Sequence, residues 1–273
     1  MKKGILLSFS MVFCISQLFA QDKLKSIQAN SVLAVTNAKV DGNLSEWGGT
    51  FQAYNKAVKL YYTLANDDKY LYLVAKSTDL TNNAKIAAGG ITLNINTAGK
   101  KSDKDAFSVT YPVVNRAAGR GQRGRGGFGG GRNNTNLSDS ALKAATEEAH
   151  KQFIEAAKEI KVLGFKEITD TLISIYNEYS IKSMVGYDEQ GALTCEIAIP
   201  LKAMGLSADV PKEFAYQITL LGLPLPANGG FGGGGRGGRG GGGRGGRSGG
   251  NNIDYQDLLT PTDFWGKYIL AKK

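Results

Sequence analysis

The stretch AVKLYYTLANDDKYLYLVAK, residues 57–76, alternates apolar and polar side chains on both sides of a polar turn. In its first half, Leu60, Tyr62 and Leu64 fall on one face, and residues 70–75 resume the alternation after Asn66-Asp67-Asp68. A period of two residues is the signature of a strand with one buried face. The stretch therefore predicts a β-hairpin whose apolar side packs against a core.

The same alternation returns in further short runs. These runs cover residues 91–95, 107–111, 172–175, 180–187, 193–199, 216–220 and 264–270. Many short alternating strands separated by turn residues are typical of an antiparallel β-sandwich. We therefore expect a mostly β fold.

One segment follows a different period. From Leu142 to Ile160, apolar residues recur at steps of three and four, which predicts one inserted amphipathic helix over about residues 138–163. Ser138 or Asp139 suits its first position, and Gly164 follows its expected end. A short helical turn is expected at residues 202–206.

All nine arginines lie in two glycine-rich tracts, which we name the first and second Gly/Arg tracts. The first holds Arg116, Arg120, Arg123, Arg125 and Arg132, and the second holds Arg236, Arg239, Arg244 and Arg247. Both tracts follow predicted strands directly, so we expect disordered loop insertions at 115–136 and 227–252 rather than linkers between domains. Guanidinium groups bind phosphates in bidentate forks and stack on bases, so the tracts predict contact with polyanions. An inert spacer is the alternative.

Residues 1–20 have the features of a secretory signal peptide. Lys2 and Lys3 precede an apolar run, and the small residue Ala20 stands before the expected cleavage site. A lipoprotein interpretation through Cys14 is disfavoured, because Phe13 is too large for the position before a lipidated cysteine. We expect an exported protein, periplasmic or extracellular and not integral to the membrane, with a lead-in over 21–31 and one domain over 32–273.

The basic charge belongs to the tracts. Loss of Lys2 and Lys3 with the signal lowers the formal net charge from +9 to +7. Because nine arginines exceed that value, the rest of the mature chain carries −2. The high isoelectric point therefore describes the tracts and not the folded surface.

Residues suited to catalysis are few. His150, the only histidine, is expected on a solvated helix face, and Cys195, the only cysteine of the mature chain, is expected to be a buried thiol. One histidine and one cysteine argue against zinc, and the tracts lack the lysine of a phosphate loop. Asp67-Asp68, or Asp103 with Asp105, is a weaker calcium candidate than a plain turn. We predict a protein that is not an enzyme, without cofactor or metal, although composition leaves a paired-carboxylate glycosidase open.

Four motifs resemble the family 9 carbohydrate-binding-module-like β-sandwiches. They are VDGNLSEW at 40–47, KYLYL at 69–73, CEIAIPL at 195–201 and FWGK at 264–267. The resemblance covers about residues 32–112 and 172–271, and the chain is also similar to exported proteins of Bacteroidetes-type bacteria. It implies a sandwich frame. With or without the resemblance, Trp47 is expected to pack as a lid on the core, and a core role is favoured for Trp265 as well. The resemblance further implies carbohydrate as a ligand, with Tyr61, Tyr70, Tyr72 and Trp265 as candidate sugar-stacking residues.

Two functional hypotheses follow. The first is an exported binding protein whose sandwich binds carbohydrate while the RGG-like tracts contact polysaccharide, extracellular DNA or lipopolysaccharide. The second is a structural or envelope- and matrix-assembly protein without a small ligand, whose tracts bind nucleic acid or act as spacers. If the strands before both tracts end on the same side of the sandwich, the tracts start as one basic fringe.

Overall fold

The computed structural model describes residues 24–114, 138–223 and 255–272. They form two antiparallel sheets and three helices, which confirms the predicted mostly β fold with an antiparallel β-sandwich. The helices are α1 (Leu80–Gly89), α2 (Asp139–Ala156) and α3 (Tyr255–Leu259).

The first sheet has five strands. They are β1 (Ala53–Asn55), β2 (Leu60–Asn66), β3 (Tyr70–Ser77), β8 (Lys182–Tyr187) and β9 (Leu193–Pro200), arranged in the order β1-β2-β3-β9-β8. The predicted hairpin is the β2–β3 pair, in which Leu64 stands opposite Leu73.

The second sheet has six strands. They are β4 (Ile91–Asn96), β5 (Phe107–Val113), β6 (Glu159–Leu163), β7 (Leu172–Ser174), β10 (Glu213–Leu220) and β11 (Thr262–Ile269), arranged in the order β11-β10-β4-β5-β6-β7.

The core lies between the sheets and contains three large tyrosines. Tyr62, Tyr111 and Tyr216 are fully buried. The hydroxyls of Tyr62 and Tyr216 are 2.9 Å apart, and the backbone N–H of Gln28 donates to the Tyr62 hydroxyl at 3.0 Å. A buried hydroxyl without a partner would cost free energy, so these bonds make the tyrosines compatible with the core and tie the N-terminal lead-in to it.

The inserted helix is shorter than predicted. Ser138 caps its start by accepting from the N–H of Ala141, but α2 ends at Ala156, and residues 159–163 form β6. The prediction of helix to residue 163 is wrong because Ile160 fits the helical period as well as it fits a strand. In β6, Ile160 and Val162 face the core, and β5 supplies the backbone partners.

Two further helices were not predicted. Helix α1 begins with Leu80, Thr81, Asn82 and Asn83, and these polar residues obscure an apolar pattern. The Asp79 carboxylate accepts from the N–H of Asn82 at its start, and the Asn82 amide donates to the Val58 carbonyl at 3.0 Å.

The expected turn at 202–206 is confirmed as a 3-10 turn, Leu201–Met204.

We predict that Gly266→Ala destabilises the fold by about 1–3 kcal/mol, because it overpacks the core. Gly266 faces inward from β11, and a methyl group there would collide with the ring of Tyr216. Urea unfolding measures the change. The cost should shrink in a Tyr216→Leu background, and an equal cost in both backgrounds would show that the collision is not its cause.

Candidate functional site

The strands that lead into the two tracts end side by side. Strand β4 lies between β5 and β10 and is antiparallel to both. Its first residue, Ile91, stands opposite Tyr111 on one side and Leu220 on the other. Neighbouring strands are about 4.8 Å apart, so the two strand ends lie about 10 Å apart. The expected same-side arrangement is confirmed for the strand ends, whereas the nine arginines lie outside the described residues.

Helix α1 ends between these two strand ends. A side chain at Gly89 would collide with the carbonyl oxygen of Gly222, and a Cβ at Gly90 would lie 2.6 Å from the carbonyl oxygen of Pro112. The backbone of Gly90 also has a φ of +76°, a conformation that residues other than glycine adopt only at a free-energy cost. The pair of glycines therefore lets α1 touch both strand ends at once.

The second tract returns to the body at the point where it leaves. The N–H of Leu223 donates to the carbonyl of Leu258 in α3 at 3.0 Å. Asp257 pairs with Lys59 at 2.7 Å and with Lys85 at 3.5 Å. Burial lowers the pKa of Lys85, and the charge of Asp257 acts against that shift. These contacts close the base of the second tract.

The first tract returns through α2, which packs on β8. The imidazole of His150 lies parallel to the ring of Tyr187, with centroids 3.4 Å apart. The expectation of a solvated histidine is wrong, because the tyrosine ring at the end of β8 covers one face of the imidazole. Burial lowers the pKa of His150, and the charge of Glu147 acts in the opposite direction.

A buried carboxylate holds the segment at 40–47 on the outside of the five-stranded sheet. Glu196 accepts from the N–H of Gly42 at 2.8 Å, from the N–H of Asp41 at 3.0 Å and from the indole of Trp47 at 2.8 Å. Burial raises the pKa of Glu196 to about 7, although the three donors act against the shift. Trp47 thus lies on the outer sheet face, 5.7 Å from Tyr72, and the expectation that it closes the core is wrong.

The four predicted sugar-stacking residues lie on two different faces. Tyr61, Tyr70 and Tyr72 share the outer face of the five-stranded sheet, whereas Trp265 lies on the outer face of the other sheet. Tyr72 is buried and donates its hydroxyl to Asp67 at 2.8 Å. The three tyrosines and the tryptophan therefore do not form one platform.

The remaining two tyrosines already have neighbours on their face. The ring of Tyr61 lies 4.5 Å from that of Tyr54, and the ammonium of Lys182 lies 5.0 Å from the ring centroid of Tyr70.

A polar row runs beside Trp265 across the six-stranded sheet. Trp265 stands opposite Gln217, and Gln217 stands opposite Asn94, with all three side chains partly exposed. The Asn94 amide donates to Gln217 at 2.8 Å, and the Gln217 amide donates to Asp263 at 3.0 Å. Sequence reasoning selected Trp265 but missed its amide neighbours, since they depend on strand order.

A cleft of about 610 Å³ lies on the outer side of the five-stranded sheet. Its apolar lining comes from Leu44, Phe51, Met184 and, from α2, Ile154. The ion pair between Lys76 and Asp188 supplies charged groups. The volume is that of a small-molecule site.

The thiol of Cys195 is fully buried on the inward face of β9, as predicted, and burial raises its pKa far above the ordinary value. A thiol so placed is not a nucleophile at neutral pH. Across the three described ranges, no cluster of three histidine, cysteine or acidic side chains has the geometry to hold a metal ion. Within the same part of the chain, no helix is long and apolar enough to cross a membrane.

Comparison with family models, curated proteins and solved structures finds no match to this chain. The motif resemblance therefore stays a prediction.

We predict that Glu196→Gln destabilises the protein by about 1–3 kcal/mol, because both oxygens of the acid can accept even when it is protonated, whereas the amide nitrogen of glutamine cannot and leaves at least one N–H without an acceptor. Chemical unfolding at acidic pH measures this cost. Glu213→Gln, at an exposed ion pair with Lys267, is the matched control and should change stability by less than about 1 kcal/mol.

Glu196 should also give the fold a pH dependence. Its pKa is about 7 in the folded state against 4.5 for the free side chain, so the folded protein holds this proton more tightly than the unfolded chain does. The contribution is fully present below pH 4.5 and is lost as the pH rises through 7. The stability difference between wild type and Glu196→Gln should therefore shrink over this range. A difference that grows with pH would contradict the assignment.

Proposed function

We propose that the protein is an exported, non-enzymatic binding protein that captures polyanions through its two Gly/Arg tracts, with the sandwich as their common base. The observation that supports this proposal best is the register of β4, which puts Tyr111 and Leu220, near the ends of the strands that precede the tracts, on either side of Ile91.

The composition of the tracts supports the same function. Residues 115–136 contain five arginines and no acidic residue, and residues 227–252 contain four arginines and no acidic residue. Two cationic segments that start about 10 Å apart meet one polymer at high effective concentration, since binding of the first brings the second within reach. The remainder of the mature chain, with its charge of −2, adds no such attraction.

The alternative is a structural or assembly protein in which the tracts act as spacers. It shares the same fold and the same anchor points and differs only in whether the arginines bind. Measurement of binding decides between the two.

We expect deletion of either tract, 116–132 or 229–250, to weaken binding to single-stranded DNA or heparin by about 100-fold, because each deletion removes avidity as well as charge. Fluorescence anisotropy over a series of salt concentrations measures the affinity and its salt slope. The doubly deleted chain should not bind.

Two matched variants separate charge from guanidinium geometry. Replacement of all nine arginines by glutamine should abolish binding, whereas replacement by lysine should keep the salt slope and lose part of the affinity. If the doubly deleted chain binds as tightly as the intact chain, the tracts are spacers and the proposal fails.

A second candidate function is carbohydrate binding by the six-stranded sheet, which the row of Trp265, Gln217 and Asn94 favours. A partly exposed indole offers a face for a sugar ring, and neighbouring amides offer donors and acceptors for its hydroxyls. The site is distinct from the tracts, so both functions are open to one molecule.

We expect Trp265→Ala in the tract-deleted chain to lower affinity for any glycan found on an array by about tenfold or more, as for a central aromatic contact. Tyr176→Ala is the matched control, because Tyr176 is an 81% exposed aromatic outside the row. Absence of any bound glycan, or equal binding by the Trp265 variant, would exclude this face as the site.

A further inference from the structure

Helix α2 is held to the body by a small part of its surface. Of its 18 residues, Asp139–Ala156, only Phe153 is buried, and most of the others are exposed. The side chains that face β8 or the cleft lie near its C-terminal end and are partly or fully covered. They are His150, Phe153 and Ile154. Docking of the helix therefore depends on few contacts.

The closest of these contacts is the stack between His150 and Tyr187. The ring planes are 4° apart with centroids at 3.4 Å, and Phe153 meets the same tyrosine edge-on at 6.2 Å. His150 is the only histidine of the chain, so it is the side chain that changes charge between pH 5 and 8 at its ordinary pKa. A titrating group thus occupies the main contact of a weakly held helix.

Few other charges act on this imidazole. On the helix, Glu147 favours the protonated form. On the sheet side, the hydroxyl of Tyr187 stays neutral because burial raises its pKa to about 12. Beyond Tyr187, Asp188 is paired with Lys76, and Glu189 is exposed at the rim of the cleft. Burial is the largest influence on His150 and acts against the charge.

We propose that the stack of His150 on Tyr187 is a proton-controlled latch, and that protonation of the imidazole releases α2 from β8. The face of the tyrosine ring attracts a protonated imidazole, but covering the imidazole also removes part of its hydration. In the proposed latch the loss of hydration on burial outweighs that attraction, so the docked helix prefers the neutral imidazole. Release removes Ile154 from the lining of the cleft, so the cleft widens in acid.

The direction of the pH dependence of docking follows from the linkage between proton binding and docking. The docked helix lowers the pKa of His150 below the 6.5 of a free histidine, so docking is strongest above that pH. Stability of the docked state falls as the pH drops below it, and the loss is complete below the lowered pKa. Release also moves the return point of the first tract from the start of α2 to β6. The latch does not rest on the polyanion function and stands or falls separately from it.

Hydrogen exchange of the full chain, corrected for intrinsic rates, tests the latch at about pH 8 and about pH 5. Peptides that cover α2 should lose protection in acid, while peptides from the central strand β4 stay protected. NMR titration of the imidazole gives its pKa in the same protein. Each unit by which that pKa lies below 6.5 should correspond to a tenfold loss of protection in α2.

Two variants separate the latch from general acid sensitivity. His150→Phe keeps a planar stacking ring but cannot be protonated, so α2 should stay protected at both pH values. Tyr187→Leu removes the stacking partner, so α2 should exchange rapidly at both. Protection of wild-type α2 that does not change with pH, or an acid loss in His150→Phe equal to that in wild type, would overturn the proposal.

Discussion

The central position of β4 in the six-stranded sheet is the constraint on which the rest of the structure depends. Because β5 and β10 are both antiparallel to β4, they run in the same direction, and their C-terminal ends lie at the same end of the sheet. The pairing of Ile91 with Tyr111 and Leu220 therefore places the starts of both Gly/Arg tracts side by side. Helix α1 packs at this end of the sheet, since Gly89 and the following Gly90 let it approach both strand ends closely. The placement is a property of sheet register and not of any side chain in the tracts.

The two outer faces of the sandwich differ in how they are covered. On the five-stranded sheet, Glu196 holds the 40–47 segment through three hydrogen bonds, and this segment covers Tyr72 and forms one side of the cleft. On the six-stranded sheet, Trp265 and its amide neighbours stay partly exposed. The tracts, the open sheet face and the cleft beside the 40–47 segment therefore occupy separate places on one body, which allows each to be tested by variants that leave the others intact.

Much of the fold was predictable from alternation, because a strand with one buried face shows its period directly. The hairpin at 57–76 and the inward position of Cys195 are confirmed on that basis. The strand at 159–163 was mistaken for helix because Ile160 satisfies both periods. Helix α1 was not predicted, because its buried asparagines are held by hydrogen bonds and not by apolar contacts. The separation of Trp265 from the three tyrosines, and the convergence of the tract bases, required the strand order, which local sequence does not contain.

The most direct measurement of the central claim is the stoichiometry of the intact chain with an oligonucleotide of about 12 nucleotides, a length within the range that single-strand binding sites cover. Native mass spectrometry gives the ratio, and photo-crosslinking identifies the peptides in contact. Two tracts that leave one edge of the sandwich predict one oligonucleotide per chain, crosslinked to both tracts. Two oligonucleotides per chain, each crosslinked to a single tract, would show that the tracts act independently and would contradict the shared surface.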